Sequence, residues 1–81
     1  MKFEDFDFFQ SNSNHKVEFE NLDKDITGRV VYSEFEHGGE YYWDIDYIEY
    51  DDDVCIDDEA MEEIENIFRF FSDTIFSYIQ D

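Results

Sequence analysis

The chain has 81 residues and carries 24 Asp and Glu against 5 Lys and Arg, for a net charge of −19. That length gives one domain, 1–81, with no room for a second core, and the charge disfavours direct binding to DNA, RNA or an anionic membrane. Acidic chains are commonly disordered, but here 42% of residues are hydrophobic and 21% aromatic, enough apolar surface to expect a folded core.

Residues 1–10, MKFEDFDFFQ, mix Phe3, Phe6, Phe8 and Phe9 with acids at a spacing that fits a short strand or one helical turn, and Ser11–Asn14 reads as a loop. In His15–Asn21, Val17 and Phe19 alternate with Glu18 and Glu20, the pattern of a half-buried strand. Leu22–Asp25 is a charged turn. Ile26–Glu36, rich in β-branched and aromatic residues, reads as a second strand. His37-Gly38-Gly39-Glu40 is the strongest turn signal, because two glycines accept the positive φ values of a tight hairpin. Tyr41–Tyr50 is the third strand, with Tyr41, Trp43, Ile45 and Tyr47 on one face and Tyr42, Asp44, Asp46 and Ile48 on the other.

Asp51–Asp53 breaks that strand, and Val54–Ile56 reads as a fourth strand or as the approach to a helix. Asp57 or Asp58 supplies the N-cap, and Asp58, Glu59, Glu62 and Glu63 load the first turns with charge that the helix dipole favours. Met61, Ile64, Phe68, Phe71, Ile75 and Tyr78 then recur at steps of three and four, widened by Ile67 and Ile79, which predicts a helix of about five turns. The expected fold class is α+β: a three- to four-stranded antiparallel sheet with one long C-terminal helix packed across it. Phe70 and Phe76 fall off the helical stripe and aromatics lie on both faces of the third strand, so a homodimer through surplus aromatics is left open.

Chemistry is hard to place on this chain. Paired carboxylates are uninformative among 24 acids, because a general acid needs an apolar pocket around it while its partner stays ionised. The chain is therefore read as a non-enzyme. Asp51, Asp53, Asp57, Glu59 and Glu62 fall at positions 1, 3, 7, 9 and 12 of a window with calcium-loop spacing. Ile56 stands where that loop needs Gly, and Cys55 is a poor calcium ligand, so neither metal nor cofactor is expected. Cys55 lies between Val54 and Ile56 as a small core or semi-exposed residue, and His15 and His37 have no partner at metal-ligand spacing. A single cysteine fits a reducing compartment, residues 1–10 lack the apolar core of a signal peptide, and no run approaches the length of a membrane span. A cytoplasmic protein is expected.

What remains is the distribution of acids. A small domain needs a net charge of only about 2–8 for solubility, so the excess asks for a functional reason. Glu34, Glu36, Asp44 and Asp46 are expected on the outer faces of strands with Glu18 and Glu20. Glu49 stands near the end of the third strand; Asp51, Asp52, Asp53, Asp57, Asp58 and Glu59 fill the connecting segment, and Glu62 and Glu63 continue along the polar side of the helix. Alternate strand residues are about 6.6–6.8 Å apart, and a nucleic-acid strand carries one phosphate per about 3.4 Å of axis, spaced more widely along its backbone. Carboxylates held on a rigid sheet and helix can thus imitate a phosphate track, and a surface of Arg and Lys aimed at phosphates would bind them in the same way. The partner predicted from this pattern is a basic nucleic-acid-binding protein or complex. Two readings compete with it: an acidic interaction subunit or antitoxin-like protein that neutralises a basic partner without mimicry, and a merely solubilising or salt-adapted face.

In size, charge and the clusters DIDYIEYDDD (44–53) and DDEAMEEIE (57–65), the chain resembles the small acidic DNA-mimic inhibitors of bacteriophages and mobile elements. That group includes anti-restriction proteins, uracil-glycosylase inhibitors and anti-CRISPR proteins. The resemblance is one of style over the whole chain, with no shared motif, and it assigns no residue a role. It implies a stoichiometric inhibitor, made in the bacterial cytoplasm, of a restriction, CRISPR or other DNA-binding enzyme.

Overall fold

The computed structural model describes residues 1–79; Gln80 and Asp81, the end of the expected domain, lie outside the described residues. A 3₁₀ turn, Phe3–Asp5, leads into β1 (Asp7–Gln10), followed by β2 (Lys16–Asn21), β3 (Ile26–His37), β4 (Glu40–Tyr50), α1 (Asp58–Phe70) and α2 (Ser72–Phe76). The strands form one antiparallel sheet in the order β1-β2-β3-β4, so the architecture is α+β with a four-stranded meander. The N-terminal segment uses both of its expected forms, a turn and then a strand, and it supplies the fourth strand; Val54–Ile56 has no regular structure.

Local chemistry explains the corners. Gly38 and Gly39 take φ values of 63° and 84° between the paired residues His37 and Glu40, the backbone that closes a two-residue hairpin with the twist of its strands. Between β2 and β3 a 3₁₀ turn at Leu22–Lys24 is capped by Asn21, whose side-chain oxygen accepts from the Lys24 backbone N–H at 3.3 Å. At the start of α1 the Asp57 carboxylate accepts from the Ala60 N–H at 2.8 Å, while Asp58 and Glu59 occupy the first turn and Arg69 the last. All four charges complement the helix dipole.

One sheet face is apolar because alternate residues project the same way. Phe8, Val17, Phe19, Ile26, Val30, Tyr32 and Ile45 are buried there, against Ile64, Phe68 and Ile75 of the helices and Phe6 of the N-terminal segment. Phe68 is the hub, with ring centroids 5.0 Å from Phe6, 5.2 Å from Phe8 and 5.0 Å from Phe19, all three in edge-on geometry.

Two sequence expectations are corrected. The long helix is instead two pieces. Phe71 leaves helical geometry at φ −103° and ψ 25°, so α1 ends after 13 residues and the five-residue α2 starts afresh. Ser72, Asp73 and Thr74 follow the break; such side chains compete with the helix for backbone hydrogen bonds. Ile75 thereby returns to the core, whereas Phe71 lies 37% exposed and stacks on Phe3 at 4.4 Å. The second correction is a β-bulge. Val31 pairs with Tyr47 and Tyr32 with Ile45, which leaves Asp46 as an extra residue. Beyond it the alternation is reversed: Ile48 pairs with buried Val30 on the core face, and Tyr47 turns outward.

Pairing of β2 with β3 ends at Lys16–Val31, but β3 and β4 remain paired to the hairpin tip. Residues 34–44 therefore form an exposed two-stranded arm, and the molecule measures 41 × 24 × 21 Å.

Candidate acidic interaction surface

Strand β4 separates the predicted acids into two groups. Asp44 and Asp46 lie in its arm half, while Glu49 and Asp51 stand at its far end; seven residues of extended chain from Asp44 to Asp51 span about 23 Å. The arm carries acids on both faces. Along β3, Glu34 and Glu36 continue the core-facing series of Val30 and Tyr32 and pair with Trp43 and Tyr41. Asp44 pairs with Ser33 on the opposite face, where the Ser33 hydroxyl donates to the Asp46 carboxylate. The expectation that Glu18, Glu20, Glu34, Glu36, Asp44 and Asp46 lie on the outer faces of strands is thus corrected for two of them: Glu34 and Glu36 sit on the other side of the sheet, where they are exposed.

At the far end one cation organises the acids. Arg29 pairs across the sheet with Glu18 on β2 and Glu49 on β4. Its guanidinium donates to Glu49 at 2.5 Å and to Asp51, and Asp51 also accepts from the Thr27 hydroxyl at 2.6 Å. The hydrogen bond from Thr27, then the one from Arg29, holds the Asp51 carboxyl below the usual carboxylate range, and Asp51 and Glu49 together raise Arg29 above its ordinary value. The turn that follows is tied down by its backbone: the Asp51 N–H donates to the Thr27 carbonyl at 3.1 Å, and the Val54 N–H to the Asp51 carbonyl at 3.0 Å. Asp52 and Asp53 are presented outward from this anchored turn. Beyond it Asp57 caps α1, Asp58, Glu59 and Glu62 are exposed, and Glu63 accepts from the chain's N-terminal ammonium at 3.0 Å.

Among the described residues, the carboxylates of Glu34, Glu36, Asp44, Asp52, Asp53, Asp58, Glu59 and Glu62 accept no hydrogen bond and make no ion pair; those of Asp46, Glu49, Asp51, Asp57 and Glu63 are committed to the fold. Sequence reasoning missed Arg29 and Thr27, which position the Asp51 turn. Their outward alternation opposite the buried Gly28 and Val30 was the available signal. It marked Phe76 and the aromatics of the third strand as surplus apolar surface but did not bring Tyr41, Trp43 and Phe76 together with Asp73, with which they line a notch beside the arm.

Twenty-three of the 24 acids fall within residues 1–79, whose long axis is 41 Å, so the molecule carries one carboxylate per about 1.8 Å of length. Subtracting the five Lys and Arg leaves 18, or one uncompensated negative charge per about 2.3 Å. Duplex DNA carries one negative charge per about 1.7 Å of axis.

Among the described residues, no group of three or more His, Cys, Asp or Glu side chains is arranged to hold a metal, and no helix is long and apolar enough to cross a membrane. In the window with calcium-loop spacing, Asp51 is taken by Thr27 and Arg29, and Asp57 by the helix cap. Comparison with protein-family models, with curated proteins and with solved structures found no match to this chain.

Proposed function

We infer that this chain is a non-enzymatic inhibitor that presents a nucleic-acid-like charge surface and occupies the basic nucleic-acid-binding groove of a bacterial protein or complex. The observation that carries this reading is linear charge density: carboxylates strung along a 41 Å rod at close to the spacing of charges on a duplex. Order matters as much as number. Strand pairing, the Arg29 clamp and the Asp57 cap fix the backbone under the unpaired acids, so a partner loses less side-chain and loop entropy here than on a floppy acidic tail. The partner's arginines and lysines gain what they gain from phosphates, charge neutralisation and hydrogen bonds to anionic oxygens. Complementary fields make such association fast and strongly dependent on salt.

Displacement separates this from neutralisation of a basic partner without mimicry. A complex with the captured partner is challenged with increasing duplex DNA. A mimic and DNA exclude one another, so DNA releases the inhibitor in proportion to its occupancy of the groove. A ternary complex, with DNA and inhibitor bound together, would rule out a shared groove.

A further inference from the structure

Beside the β3–β4 arm, Tyr41, Tyr42 and Trp43 line a notch of about 350 Å³ with Asp73, Phe76 and Ser77. Its floor is aromatic. The Trp43 and Phe76 rings lie 6.2 Å apart at 44°, and an edge-on contact with Tyr32 at 5.7 Å holds Phe76 in place. One carboxylate, Asp73, lines its rim directly; cross-strand register sets Glu34 beside Trp43 and Glu36 beside Tyr41 on the same face of the arm, next to the notch but outside its lining. No Lys or Arg lines the notch, and none of these three carboxylates belongs to an ion pair among the described residues.

An apolar side chain would fill this notch without using the carboxylates, and an inorganic cation would not use the rings. A guanidinium uses both: its flat face stacks on aromatic rings while its edge donates to carboxylates, whereas an ammonium is a compact, strongly hydrated point charge. We propose that the notch is a receptor for an arginine side chain of the partner. That this arginine comes from a nucleic-acid-binding groove rests on the function inferred above; that the notch takes arginine does not.

Trp43 is the only tryptophan in the chain, so its emission reads occupancy. The full chain is titrated with hexaarginine and with hexalysine, peptides of equal charge, in about 0.15 M NaCl. Hexaarginine should change the emission saturably and bind about three- to tenfold tighter than hexalysine. Tyr41→Ser, at a ring 63% exposed, should erase that preference while leaving hexalysine affinity and the melting temperature as they were. A missing saturable change, equal affinity for the two peptides, or a preference that survives Tyr41→Ser overturns the assignment. None of these outcomes touches the DNA-displacement result, so the two proposals fail separately.

Discussion

Replacing Arg29 with methionine tests whether the acidic surface is a built object or a loose excess of charge. The Arg29 side chain is 21% exposed and its guanidinium hydrogen-bonds Glu49 and Asp51, whose side chains are 37% and 38% exposed. Fully exposed pairs contribute about 0.2–1 kcal/mol each, and breaking a fully buried pair costs about 3–5 kcal/mol. These two lie toward the exposed limit, so the loss should be about 1–2 kcal/mol, a fall in Tm of about 5–15 °C for a domain of this size. Methionine keeps the aliphatic stem covered, so the loss reports charge and hydrogen bonding; thermal unfolding followed by circular dichroism at low salt measures it. Because screening weakens repulsion among Glu18, Glu49 and Asp51, added NaCl should recover part of the deficit. The pH dependence follows from the lowered Asp51 pKa: its contribution is present above the unfolded carboxylate value near about 4 and is lost as pH falls through the lower folded value. In the variant that acid-side loss shrinks but persists, since Thr27 is the larger cause. Affinity for the partner should fall although the net charge becomes more negative. A variant that melts with the parent at low salt, or binds its partner more tightly, would refute the reasoning.

Phe68→Ala removes a fully buried hub ring and should cost about 3–5 kcal/mol, Phe71→Ala about 1 kcal/mol, and Phe70→Ala, at 83% exposed, less than about 0.5 kcal/mol; urea unfolding ranks them, and any other order contradicts the core described above. The Tyr50 hydroxyl is buried without a partner among the described residues, so Tyr50→Phe should be neutral or stabilising at neutral pH, and a clear loss in urea midpoint would expose a missed hydrogen bond. Burial, and secondarily the charge of Glu65, pushes the Tyr50 phenol up to about 12. A raised value means that stability is intact below the unfolded tyrosine pKa near about 10 and declines as pH rises toward about 12, a decline that Tyr50→Phe should reduce. A Cβ at Gly28 would lie 2.1 Å from the Glu49 carbonyl oxygen; Gly28→Ala should push β3 from β4, loosen the Arg29 clamp and lower Tm, and an unchanged Tm would rule out that close approach.

Elements governed by local chemistry were legible in the sequence. Gly38-Gly39 marked the hairpin, the pair Asp57-Asp58 the helix cap that Asp57 forms, and the alternation of Val17 and Phe19 a half-buried strand. Features decided by tertiary pairing were not. Nothing in YYWDIDYIEY marks Asp46 as a bulge, because the extra residue exists only relative to β3, and its effect on Tyr47 and Ile48 follows from that register. The stripe through Phe71 and Ile75 keeps helical spacing across the break, so periodicity alone reads it as continuous; the signal lay in the run Ser72-Asp73-Thr74. On the surface, the abundance of acids was plain. Which were committed and which remained unpaired depended on Arg29, Thr27, Asp57 and the N-terminal ammonium, partners that one-dimensional spacing does not reveal.

A patterned surface and bulk charge part company when net charge is held equal. Asp44, Asp52 and Glu62 are exposed, unpaired and within the proposed surface; Glu4, Asp7 and Asp23 are exposed and outside it. Changing either set to lysine moves the net charge from −19 to −13, and circular dichroism establishes that both variants remain folded. Affinity for the captured nucleic-acid-binding partner is then measured for each. The surface set should lose about 100-fold or more, as expected when close charge pairs become repulsive, and the control set should bind within about threefold of the parent. Equal loss in the two variants would mean that bulk charge alone does the binding, and nucleic-acid mimicry would be contradicted.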